Sequence, residues 1–149
     1  MVVDELLPLI AEQGLDVSRI GLLGWSMGGY GALRLAGLLG PDRVGAVVAS
    51  SPALWQDGGD ASSSGFADAA EYEKFSVLGH QDDLTGIRVR VDVGTGDPFH
   101  PAVQDYVESF PDDARVVSTF GPGGHDTAYW RRMLPAQLRF LGRGVGSPA

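Results

Sequence analysis

Apolar and polar positions along the chain alternate between two kinds of block. Residues 19–24 (RIGLLG) and 44–50 (VGAVVAS) are short and largely apolar, residues 87–93 (IRVRVDV) are β-branched and alternating, and residues 115–120 (RVVSTF) form a fourth short run. Runs of this length and chemistry predict four strands, the uniform ones covered on both faces. Between them lie segments with helical spacing. Residues 4–13 (DELLPLIAEQ) place Leu6, Leu7, Leu9 and Ile10 on one predicted apolar face, with Pro8 in the first turns and Gly14 as a stop. A helix is predicted from Met27 to Leu39, ended by Gly40-Pro41, and another over 101–110 with Pro101 at its first position. Residues 66–78 are predicted to be helical in part. A last helix follows His125 and runs to about Leu141. In it Trp130, Leu134, Leu138 and Leu141 share one side and are expected to face the core, and Pro135 is placed to kink it. Residues 55–65 (WQDGGDASSSG) read as a mobile loop, and 142–149 as a frayed, flexible tail.

Strands alternating with helices predict an α/β fold with a mostly parallel sheet of about four strands, in which ligands bind beyond the carboxyl ends of the strands. A length of 149 residues suits one domain, read here as 1–141. Net charge is −8 with 11 Lys and Arg, which argues against nucleic acid or an anionic membrane as a partner. The absence of cysteine excludes disulfides, thiolate metal sites and cysteine nucleophiles. Residues 20–40 are long enough to cross a bilayer, but seven glycines and Arg34 argue against a span. Residues 1–10 carry Asp4 and Glu5 where a signal peptide wants positive charge, so a cytoplasmic protein is expected.

The chemistry concentrates at Gly24-Trp25-Ser26-Met27-Gly28, a G-x-S-x-G sequence set between a predicted strand and a predicted helix. A sharp turn there lifts the hydroxyl clear of the sheet, and side chains at Gly24 or Gly28 are expected to collide with the turn. The N–H of Met27, first in the helix, is the candidate oxyanion donor. A nucleotide-binding turn fails on detail: no G-x-G-x-x-G or Gly-Lys-Ser/Thr occurs, and Lys74 is the one lysine. A serine nucleophile needs a base. Of the three histidines, His125 lies between the last strand and the last helix. His100 opens a helix, and His80 is far from any strand end. Asp97, on the loop after the third strand, is the candidate acid; Asp92, inside that strand, is its competitor. The order Ser…Asp…His is that of α/β-hydrolases. Asp126 is placed to cap the final helix. The histidines lack metal-site spacing and no H-E-x-x-H occurs, so no cofactor or metal is expected.

GWSMGGYGAL, VDVGTGDPF and GGHDTAYWRRMLPAQLRFL together resemble the esterase D-like branch of the α/β-hydrolases, from about Val3 to Leu141. That branch includes S-formylglutathione hydrolases, short-chain carboxylesterases, feruloyl esterases and mycolyltransferases. The resemblance implies Ser26 as nucleophile, Asp97 as acid, His125 as general base and a small ester or thioester as substrate. Trp130, shortly after the histidine, also fits the branch's pattern. Acyl transfer to an alcohol or sugar, as in the mycolyltransferases, is the alternative reaction. The strands read here correspond to the later part of the branch's sheet. The earlier strands, with the loop that supplies a second oxyanion donor, have no counterpart. A truncated hydrolase of reduced activity, or a non-catalytic half-hydrolase, is therefore expected. Residues 19–24 would also form a sheet edge with unpaired backbone, an invitation to homo-oligomers.

Overall fold

A computed structural model describes residues 1–61 and 65–145. A π-helical turn, Val2–Leu6, leads into α1 (Leu7–Glu12). There follow β1 (Ile20–Trp25), α2 (Met27–Leu39), β2 (Val44–Ser50), α3 (Ala69–Phe75), β3 (Arg88–Gly94), α4 (His100–Glu108), β4 (Val116–Gly121) and α5 (Thr127–Val145). Short 3₁₀ turns occupy Gly58–Asp60 and Gln81–Leu84. The four strands form one parallel sheet in the order β1-β2-β3-β4.

Each strand matches a run picked out by its apolar pattern. In β2 every residue is buried, as an unbroken VGAVVAS run requires when helices cover both sides. On one face Tyr30, Leu33 and Ala36 of α2 and Val103 and Tyr106 of α4 pack with Val47, Val89 and Val91. On the other, Phe140 and Leu141 of α5 pack with Ala46, Val48 and Leu23. β1 and β4 are the sheet's edges, and β4 is largely exposed, in keeping with its polar Ser118 and Thr119.

The helices depart from expectation in three places. Of the apolar face predicted for the first helix only Leu7 is buried; Leu6 and Leu9 are exposed. Met1 and Leu6 instead flank an open apolar cleft of about 580 Å³ against Leu22, Leu23, Gly28 and Leu35. In α5 the buried residues are Tyr129, Gln137, Phe140 and Gly144, while Leu138, expected in the core, is 55% exposed. The reason is a close approach at the helix's far end: a Cβ on Gly144 would lie 2.5 Å from Ala46 Cβ, so this side of α5 must face β2. The helix is also continuous to Val145, so residues 142–145, expected in the tail, are helical. Residues 146–149, and residues 62–64 of the predicted loop, lie outside the described residues. Pro101 sits at the second position of α4, which starts at His100. Among the described residues no helix is long and apolar enough to cross a membrane.

Candidate active site

The turn from β1 to α2 is as tight as its glycines suggested, though only one of them is compelled. Ser26 adopts φ 54 and ψ −124, a left-handed conformation that few side chains tolerate. The strain is held by hydrogen bonds. Ser26 N–H donates to the Ser50 carbonyl (3.1 Å), and the Ser26 carbonyl accepts from Ala53 N–H (3.1 Å) and from Gly29 and Tyr30 in the first turn of α2. A Cβ on Gly24 would press on the Gly28 carbonyl and lie 2.6 Å from Gly29 N, so glycine is required there. A Cβ on Gly28 would meet nothing within 4 Å, against the sequence expectation, because that direction opens into the cleft beside β1. Met27 is the first residue of α2, and first-turn N–H groups have no partner inside a helix.

The loops after β3 and β4 are joined along their backbones. Thr95 N–H donates to the Gly121 carbonyl and Gly96 N–H to the Gly123 carbonyl, both at 2.8 Å. This pairing puts Asp97 beside His125. Asp97 Oδ2 lies 2.9 Å from His125 Nδ1, and its Oδ1 accepts from Phe99 N–H at 2.9 Å. The carboxylate is wholly buried and the imidazole 25% exposed. On its other side His125 Nε2 lies 2.9 Å from Ser26 Oγ. Hydroxyl, imidazole and carboxylate thus stand in hydrogen-bonded line at the carboxyl ends of the strands. With Nδ1–H donating to Asp97, Nε2 is left as the acceptor for the serine proton.

Asp92 stands elsewhere. Its carboxylate is buried under α5 and accepts from Arg90 Nε and Gln137 Nε2, both at 2.8 Å. His80 lies 3.7 Å from Asp83, and His100 packs edge-on against Phe120. Asp126 caps α5, accepting from Tyr129 N–H at 2.8 Å. Trp130 meets the His125 ring edge-on with centroids 5.3 Å apart and stacks on Trp25. Phe99 also meets the imidazole, with centroids 5.2 Å apart, and continues to Trp55. Trp25 and Phe99 were not singled out from the sequence; the signal available was adjacency, since one precedes the serine and the other follows Asp97 by two.

The profile of the Esterase family matches residues 1–141. A search of curated proteins finds no match. Among solved structures, a ferulic acid esterase superposes with TM-score 0.74 at 22% identity, over 95% of this chain and 60% of its own. The S-formylglutathione hydrolase of Agrobacterium tumefaciens gives 0.72 at 22% identity, over 97% and 56%. The enterobactin esterase of Shigella flexneri gives 0.69 at 29% identity, over 95% and 37%. The chain therefore spans about 60% or less of the length of these structures. With this extent of match, the chain belongs to the Esterase family, and its four-stranded parallel sheet is part of an α/β-hydrolase fold.

Proposed function

We propose that the chain is a serine hydrolase of carboxylic esters or thioesters, working through an acyl-enzyme. The observation that carries this reading is the pair of 2.9 Å contacts that links Ser26 Oγ to His125 and His125 to Asp97. Ser26 Oγ attacks the substrate carbonyl while His125 Nε2 takes the hydroxyl proton. The oxyanion that forms faces Met27 N–H and the positive end of α2. Collapse of the tetrahedral species expels an alkoxide or thiolate, which takes the proton from Nε2. Water then repeats the sequence, returning acid product and free Ser26. Asp97 holds the imidazole tautomer and stabilises its cation. Membership of the Esterase family, and relatives named as esterases and a hydrolase, support the same reaction class. With Met27 as the one assigned donor, turnover is expected roughly 10²–10³-fold below that of a two-donor site.

A fluorophosphonate probe tests this directly. The purified chain should label at Ser26 and turn over a p-nitrophenyl acyl ester slowly. Undiminished labelling in Ser26→Ala, or no labelling of the parent chain, would remove this serine from the reaction.

A further inference from the structure

Behind the reacting groups a buried hydrogen-bond network joins the two halves of the site. Gln137, midway along α5, has no exposed surface. Its Nε2 donates to Ser50 Oγ at 3.0 Å and to Asp92 Oδ2 at 2.8 Å. Ser50 ends β2 and begins the turn that grips the nucleophile: its carbonyl takes Ser26 N–H, and Ala53 N–H returns to the Ser26 carbonyl. Between them Ser51 adopts φ 47, and its N–H donates to the Asp92 carbonyl at 2.6 Å. Ser26 and Ser51 are the non-glycine residues with positive φ among those described, and they lie at the ends of adjacent strands. Two strained residues side by side need a support that over-determines them. Asp92 is in turn held by Arg90, which reaches on to Thr119 of β4.

The helix that carries Gln137 also begins two residues after His125, with Trp130 in its first turn against the imidazole. One side chain therefore touches the turn that holds the nucleophile and belongs to the helix that holds the base. The core on this side of the sheet, Ala46, Val48 and Phe140, is apolar. The bond to the buried Asp92 carboxylate stabilises this contact, so loss of the amide is expected to lower Tm as well, and Gln137 Oε1 is buried with no hydrogen-bond partner among the described residues. What the amide also adds is direction: two bonds of fixed geometry between buried groups.

We propose that Gln137 is a positioning residue. It sets the nucleophile turn and the histidine helix in mutual register, so that Ser26 Oγ and His125 Nε2 meet at hydrogen-bond distance. The proposal rests on the serine-hydrolase reading.

The test compares Gln137→Met, Ser50→Ala and Phe140→Leu in the full chain. The readouts are the rate constant for fluorophosphonate labelling, kcat and KM for an acyl ester, the low-field proton of the His125–Asp97 hydrogen bond, and Tm. Gln137→Met keeps the volume and removes the donors. It should slow labelling and kcat about 10- to 100-fold, leave KM within about twofold and move the low-field resonance, as a sub-ångström misplacement does. Ser50→Ala removes one acceptor and should act in the same direction by about three- to tenfold; it carries the test should Gln137→Met fail to fold. Phe140→Leu should lower Tm while leaving the labelling rate within about twofold. If Gln137→Met lowers Tm but labels at the parent rate with an unmoved resonance, its role is structural and the proposal is overturned. If the parent chain does not label at all, the serine-hydrolase reading fails first, and the resonance alone decides whether Gln137 positions His125.

Discussion

The two glycines that flank Ser26 are equivalent in the G-x-S-x-G sequence but not in the fold, and a pair of alanine substitutions separates them. A methyl group at Gly24 presses on the carbonyl of Gly28 and comes within 2.6 Å of Gly29 N. These are main-chain atoms in the first turn of α2, so no side chain can rotate away, and relief requires moving the turn that carries Ser26. Overpacking of this kind costs about 1–3 kcal/mol, and contact with main chain places Gly24→Ala at the upper end. At roughly 2–4 °C per kcal/mol for a domain of this size, Tm should fall by about 6–12 °C. The shift in Ser26 should slow fluorophosphonate labelling by about 10²-fold. A methyl group at Gly28 meets nothing within 4 Å. There the helical preference for alanine dominates, worth about 0.5–1 kcal/mol, and Gly28→Ala should raise Tm by about 1–4 °C with labelling unchanged. Thermal unfolding by circular dichroism and a labelling time course measure both effects. The reasoning fails if Gly24→Ala behaves like the parent chain, or if Gly28→Ala is as damaging as its partner.

Asp97→Asn should lower kcat for an acyl ester by about 10⁴-fold by reversing the imidazole tautomer, with folding retained; a drop of less than tenfold would remove Asp97 from the acid's role. Gly144→Ala should lower Tm by roughly 2–12 °C through contact with Ala46, and Ala46→Gly in the same chain should recover part of that loss; additive losses would show that the two do not meet. Leu138→Glu should leave Tm within about 2 °C of the parent, because the side chain points outward, and a large fall would mean that α5 is rotated. Burial, helped by Tyr72, raises the Tyr30 phenol to about 12, and burial also lifts Tyr72, Tyr106 and Tyr129. Unfolded tyrosine ionises near pH ~10, so the folded chain keeps protons that the unfolded chain gives up. Stability against urea should therefore be complete below about pH 10 and fall as pH rises toward and through about 12; a flat profile over that window would contradict the burial of these phenols.

How much of this was legible in the sequence follows from the range of the interactions concerned. The strands were legible because burial on both faces leaves a local mark, an apolar run such as VGAVVAS. The turn at Ser26 was legible because its G-x-S-x-G sequence lies between a strand and a helix pattern, although the tightness of the turn compels glycine only at position 24 of the two. Asp97 was preferred to Asp92 because it follows the third strand while Asp92 lies inside it, with Asp92 kept as the competitor. The fold separates them by direction, with one carboxylate at the loop beside His125 and the other under α5 with Arg90. The face of α5 was read only in part. Leu141 packs on Ala46 and Val48 and Trp130 and Leu134 are half-buried, but Leu138 is exposed and the helix is turned so that Gln137 and Gly144 point inward. Gln137 is drawn in by partners 45 and 87 residues away, and Gly144 by the backbone of β2, neither of which leaves a trace near residue 137. The first helix failed in the opposite sense: its apolar residues are present, but only Leu7 is covered.

The sheet is laid down in chain order, each strand beside the one before it, while α5 returns across β1 and β2 to rest Leu141 and Val145 on Gly21. Emerging from the ribosome, such a chain can zip its strands together one by one with each new partner already waiting. On the proposed reading, the hydroxyl at residue 26 nonetheless has no base until residue 125 has been made and the closing helix has docked. Reactivity in that case arrives only after the sheet is assembled, and a molecule still lacking α5 carries a serine that is sterically poised but chemically idle.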